Sequence, residues 1–170
     1  QVVACRVLCA TVPATSANLG PGYDALGLAL ELRLNVTVKL TPADHFVYRG
    51  AGSVPDDGAN LVHQGFRAAY GQLGLEAPTA TFEVDNPIPL ARGLGSSSAA
   101  LVAGAALADA LLDGGLGRDG VFQLTAGMEG HPDNVAPAVY GGFTVSAADA
   151  AGRFRSATLP LPDEWHLLYG

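Results

Sequence analysis

Lysine is nearly missing from this chain: Lys39 stands alone against eight arginines in 170 residues. A mechanism that needs a lysine must use Lys39 or do without one, and a Walker-type loop, G-x-x-x-x-G-K-S/T, is excluded. Cysteine is as scarce. Cys5 and Cys9 cannot build a disulfide framework. At i and i+4 of a strand they share a face but stand too far apart to bridge easily, so both read as buried apolar thiols. With four scattered histidines they give no zinc-binding spacing. Positive charge is short: nine basic residues face sixteen acidic ones, a net −7. A nucleic-acid binder wants a basic patch, so that class is demoted. A membrane span is missing too. Ser96 to Leu112 is nearly uncharged, but it is mostly alanine, contains Asp109 and is slightly short for a bilayer. Gln1 to Ala10 lacks the basic start and longer apolar run of a signal peptide. The expectation is a cytoplasmic chain with no membrane and no nucleic-acid partner.

What is present is an apolar half, 49% of residues, which rules out a disordered chain. The length suits one domain, or one domain and part of another. Val2 to Ala10 reads as a strand, and Thr11 to Gly22, punctuated by Pro13, Gly20, Pro21 and Gly22, as a loop. Leu32 to Leu40 places apolar residues on every second position, the pattern of a half-buried strand within Leu26 to Leu40. Phe46 to Tyr48 is expected to pair with it. Asn60 to Leu73 carries apolar residues at helical spacing with Gly74 as a stop. Thr79 to Val84 reads as a strand. Ser96 to Leu112, Asp119 to Met128 and Pro132 to Tyr140 read as helices. Phe143 to Ala147, Phe154 to Leu159 and Trp165 to Tyr169 read as short strands. Runs of strands and helices without strict βαβ alternation make the class α+β.

Three stretches carry chemistry. The strongest is Pro89-Leu-Ala-Arg-Gly-Leu-Gly-Ser-Ser-Ser-Ala-Ala100. A glycine loop opens straight into a helix whose unpaired N–H groups and dipole make an anion site, with three serine hydroxyls beside it. An ordinary glycine turn before a serine-capped helix has the same letters. The second, Pro13-Ala-Thr-Ser-Ala-Asn-Leu-Gly-Pro-Gly-Tyr-Asp24, packs hydroxyls, an amide and a carboxylate between turn-formers. It is a ligand loop or an Asx/Ser turn cluster. The third, Glu129-Gly-His-Pro-Asp-Asn-Val-Ala-Pro137, places two carboxylates and an amide at a helix start. They suit a hard cation such as Mg2+ and a substrate hydroxyl, or only cap the helix.

In this order the three stretches resemble the GHMP kinases, the family of galactokinase, homoserine kinase, mevalonate kinase and phosphomevalonate kinase. Pro13–Asp24, His131–Pro137 and Gly141-Gly142 are closest to the homoserine kinase version. The resemblance implies the ribosomal S5 domain 2-like N-terminal fold over residues 1–160. Residues 161–170 would then start a ferredoxin-like C-terminal domain that is mostly absent. It implies transfer of the γ-phosphate of ATP to the L-homoserine hydroxyl, with Mg2+ as cofactor. Pro89, Arg92, Gly93, Leu94, Gly95, Ser96, Ser97 and Ser98 would hold the phosphates, Asn60 the adenine, and Ser97 and Glu129 the metal. Thr15, Asn18, Asp24, His131, Asp133 and Asn134 would line the substrate pocket, with Asn134 at the hydroxyl. No dedicated base is implied; the hydroxyl proton passes to the γ-phosphate. A truncated chain of this kind is expected to bind nucleotide weakly and turn over little. A homodimer is compatible with the resemblance. Another GHMP kinase, for mevalonate or a sugar, and a non-catalytic binding member of the same fold stay open.

Overall fold

The alternation of residues 32–40 builds the central strand of a six-stranded sheet. In the computed structural model, which describes residues 6–162, 164 and 166, β2 (Leu26–Leu40) buries Leu34, Val36 and Val38 and leaves Arg33 and Lys39 exposed. β1 (Val7–Ala17) runs antiparallel along it, from Val7 opposite Lys39 to Ala17 opposite Gly27. β3 (His45–Gly50) and β4 (Ala80–Asn86) form the one parallel pair described, and β4 lies antiparallel to β2. β5 (Phe143–Ala148) pairs with Leu26–Leu28, and β6 (Phe154–Leu159) with β5. The order is β3-β4-β2-β5-β6, with β1 beside β2. The class is α+β.

Three expectations change. The first strand does not stop at Ala10 but continues through Pro13 to Ala17, with a register shift between Pro13 and Thr15. β1 pairs with β2 alone, and an edge strand tolerates a proline that lacks a ladder N–H. Residues 46–48 pair with β4, not with β2, because β4 occupies that stretch of β2. Cys9 is exposed rather than buried, since Val7, Cys9 and Thr11 fall on the outward face of the edge strand. Cys5, the Trp165–Tyr169 strand and most of the 161–170 segment fall outside the described residues.

The helices are α1 (Leu61–Gln72), α2 (Ser96–Leu111), α3 (Gly117–Glu129) and α4 (Val135–Tyr140). Phe66, Phe82, Phe122, Leu34, Ile88 and Leu107 fill the space between helices and sheet. Tyr140 anchors α4 by donating to Asp119 Oδ1 at 3.3 Å. Burial, aided by the Asp119 charge, pushes its phenol up to about 12. Among the described residues no helix is long and apolar enough to cross a membrane.

α1 and α2 meet backbone to backbone. A Cβ on Gly104 would overlap the Val62 carbonyl oxygen, and one on Gly65 would overlap the Leu101 carbonyl oxygen. This contact fixes where α2 begins relative to the sheet. Gly104→Ala is therefore expected to destabilise the fold by about 1–3 kcal/mol through overpacking, against a gain of about 1 kcal/mol in helix propensity. Urea unfolding measures it; a net stabilisation would contradict the close approach.

Candidate active site

The site is built around the start of α2. β4 ends at Asn86, a buried residue whose Oδ1 accepts from Ile88 N at 3.0 Å. Its Nδ2 reaches Tyr48 Oη at 3.3 Å and Ser96 Oγ at 3.2 Å. One amide thus ties the entry of the loop to its exit. Between them the backbone takes positive φ at Ala91, Gly93 and Gly95 (55°, 71° and 64°). Gly95 is the N-cap of α2; it supplies no side-chain cap, and the first turn holds no acidic residue. The amides of Ser96, Ser97 and Ser98 therefore have no capping side chain, and the helix dipole adds positive potential there.

That helix start opens on a cavity of about 540 Å3. One end is apolar, walled by Leu34, Val54, Pro55, Val62 and Val84, with Tyr48 beside them. The other carries Ser96, Ser97, Glu129, His131 and Asn134. An apolar slot next to an anion-binding helix start suits a flat ring joined to phosphates.

The third stretch forms the opposite wall. α3 ends at Glu129, and Gly130, at φ +88°, turns the chain. Asp133 is fully buried. Its Oδ1 accepts from Asn134 N at 2.7 Å and faces His131 Nδ1 at 2.7 Å. Against a carboxylate, Nδ1 is the protonated nitrogen, which leaves Nε2 as the free ring atom. Asp133 Oδ2 is buried without a protein partner. The Asp133 carbonyl rests on Gly27, where a Cβ would overlap it. A glycine at this point of β2 lets the third stretch lie on the sheet.

The first stretch enters from below. Thr15 N donates to Leu94 O at 3.1 Å. The buried Thr15 Oγ1 donates to Asn134 Oδ1 at 2.8 Å. One residue of β1 thus touches both other stretches. Beyond Ala17 the chain makes a turn of its own. Asn18 and Asp24 both have positive φ (58° and 55°), and Asp24 N donates to Asn18 Oδ1 at 2.9 Å.

Most of the residues singled out from the sequence meet here: Asn60, Pro89, Arg92–Ser97, Glu129, His131 and Asn134 all line the cavity. Others stand differently. Ser98 turns its side chain into the core and takes no part in the cavity wall, because 100° per residue carries it from the face of Ser96 and Ser97 to the opposite one. Only its backbone N–H belongs to the uncapped helix start. Thr15 and Asp133 are buried behind the wall. Asn18 and Asp24 lie on the adjoining loop rather than on the wall. Asn60 caps α1, accepting from Val62 N at 3.0 Å and donating to Pro55 O at 2.7 Å. It therefore fixes the apolar end of the cavity as well as bordering it. Tyr48, Val54, Pro55 and Asn86 are missed by sequence reasoning.

A divalent cation has oxygen donors on this cavity in the Ser97 hydroxyl and the Glu129 carboxylate. Among the described residues there is no group of three or more metal-ligating side chains. That donor set fits Mg2+, which keeps waters and binds through one or two carboxylates plus ligand phosphates. It does not fit a metal held by protein alone.

Residues 60–142 match the family model of the GHMP kinases N terminal domain. The homoserine kinases of two Thermus thermophilus strains are 57% and 56% identical over 151 residues, 89% of this chain and 50% of theirs. The crystal structure of homoserine kinase from Cytophaga hutchinsonii superposes with a TM-score of 0.77 at 28% identity, over 95% of this chain and 54% of that one. Methanococcus jannaschii mevalonate kinase, at 14% identity and a TM-score of 0.66 over 94% of this chain and 57% of its own, shares the fold. The chain belongs to the GHMP kinases and carries their N-terminal domain; it spans about half the length of the curated relatives it matches.

The two loop glycines should respond differently to alanine. Gly93, with nothing within 4 Å of an added Cβ, bears only the left-handed backbone cost, about 1–2 kcal/mol. Gly95 adds a collision with Thr15 Oγ1, so Gly95→Ala should cost at least about 1 kcal/mol more than Gly93→Ala. Paired denaturant titrations read the difference.

Proposed function

We propose that the protein carrying this chain transfers the γ-phosphoryl group of ATP to the side-chain hydroxyl of L-homoserine, giving O-phospho-L-homoserine and ADP, a step toward threonine. The observation that carries the reading is the uncapped start of α2 facing Glu129, His131 and Asn134 across one cavity. A phosphate-binding helix end and a polar acceptor wall thus stand opposite each other. The identity to homoserine kinases over 89% of the chain favours homoserine over other alcohols.

Backbone amides of Gly93 to Ser98 cradle the phosphates in this reading, and Arg92 stands at the loop's outer edge. The apolar end, shaped by Asn60, takes the adenine. Ser97 and Glu129 hold Mg2+, which when bound neutralises charge on the phosphates. Asn18 and Asp24 receive the homoserine amino group. His131, aligned by Asp133, lines the pocket, and Asn134 meets the hydroxyl. Phosphoryl transfer needs mainly positioning and charge stabilisation. The homoserine oxygen bonds to the γ-phosphorus as the bond to the β,γ-bridging oxygen breaks, and the hydroxyl proton ends on the transferred phosphoryl group. His131 Nε2 and Asn134 orient the acceptor; the chain supplies no separate base.

A coupled ADP-release assay on the full-length protein tests this. Saturable turnover with L-homoserine, and little with mevalonate or a sugar, is the expected result; a preference for either of the latter would overturn the substrate. Ser97→Ala should raise the KM for Mg·ATP about tenfold while leaving thermal stability near wild type, as befits one lost oxygen contact on an exposed side chain. Asp24→Ala should raise the KM for homoserine about tenfold to a hundredfold, the range of a lost charge-assisted hydrogen bond, with the KM for ATP changed far less. Initial-rate kinetics in both substrates separate the two effects.

A further inference from the structure

Thr15 is buried, so it does not meet a ligand directly. Its hydroxyl nevertheless sits at the junction of the two walls. Thr15 Oγ1 donates to Asn134 Oδ1 at 2.8 Å. A Cβ added to Gly95 would lie 3.1 Å from the same Asn134 Oδ1 and would overlap Thr15 Oγ1. The carbonyl of the Asn134 amide is therefore wedged between Thr15 and the N-cap of α2. Its Nδ2 lies 3.5 Å from Asp133 Oδ1. Rotating the amide by 180° would bring an oxygen lone pair against that carboxylate, a repulsive contact in a region shielded from water. Thr15 from one side and Asp133 from the other select one orientation.

From this we infer that Thr15 is a positioning residue that fixes the Asn134 amide with its N–H group, not its carbonyl, available to the cavity. The inference rests on the homoserine kinase reading and adds to it the state of the acceptor. An N–H donated to the homoserine oxygen holds that oxygen in place and leaves its own proton free to depart. A carbonyl in that position would accept a hydrogen bond from the hydroxyl and hold its proton turned away from the phosphate. Because Gly95 is part of the same wedge, the orientation of the acceptor group is coupled to the start of the phosphate-binding helix.

The test compares wild type, Thr15→Val and Thr15→Ser in the full-length protein. Valine keeps the shape and removes the hydroxyl; serine keeps the hydroxyl. Thr15→Val should lower kcat about tenfold, the scale of one hydrogen bond, with the KM for ATP unchanged. Thr15→Ser should recover most of that loss. In 15N-labelled protein, the Asn134 side-chain amide pair, assigned by its disappearance in Asn134→Ala, should shift in Thr15→Val and stay in place in Thr15→Ser. An unmoved amide pair in Thr15→Val, a kcat equal to wild type, or a serine variant as slow as the valine one would overturn the inference. Wild type that leaves homoserine untouched, with the amide shift intact, counts against the substrate reading and leaves the Thr15 contact standing. If Thr15→Val does not fold, wild type alone decides: a slowly exchanging Thr15 hydroxyl proton close to Asn134 is expected, and its absence would refute the contact.

Discussion

The rest of the structure depends on a helix that starts without a cap. An ordinary helix satisfies some of its first N–H groups with a serine, threonine or aspartate side chain. α2 instead begins on a left-handed glycine, and its first turn carries neither a cap nor a carboxylate. Leaving those donors open costs stability, so the surroundings must hold the turn rigid. Asn86 links the two ends of the loop, Thr15 bonds to Leu94 and Asn134, and the body of α2 is buried along most of its length. The uncapped helix start is a deficit maintained by its neighbours.

Glycine makes that support possible by removing side chains where backbones must touch. Gly65 and Gly104 bring α1 against α2, Gly27 receives the Asp133 carbonyl, and Gly95 receives the Thr15 hydroxyl. Each contact joins segments distant in sequence, and each would be blocked by one methyl group. The alanine-rich composition of α2 serves the same close packing. The arrangement leaves little tolerance for added volume around the site, because packed interiors transmit small displacements.

Much of this was readable in advance. The alternation of β2, the helical spacing of α1, and the loop-to-helix junction at Gly95–Ser96 all follow local rules of period and glycine punctuation, and all appear in the fold. The three chemical stretches also converge. What local rules missed had non-local causes. Pro13 looked like a strand breaker, but its place on a sheet edge made it harmless. Residues 46–48 alternate well enough to pair with any neighbour, and only the occupancy of β2 by β4 decided which. Cys9 looked buried because strand alternation does not say which face meets the core.

The sequence by itself determined where the glycine-started helix begins, that its loop carries no lysine, and which carboxylates and amides were candidates to face it. Those are properties of residue type and short-range spacing. The tertiary structure decided which of them face the cavity. It turned Ser98 inward, placed Thr15 and Asp133 behind the wall, built the apolar slot from Tyr48, Val54 and Pro55, and set the Asn134 amide between Thr15 and Asp133. The reason is that direction and burial depend on what packs against a residue, and here the packing partners lie up to 119 positions away.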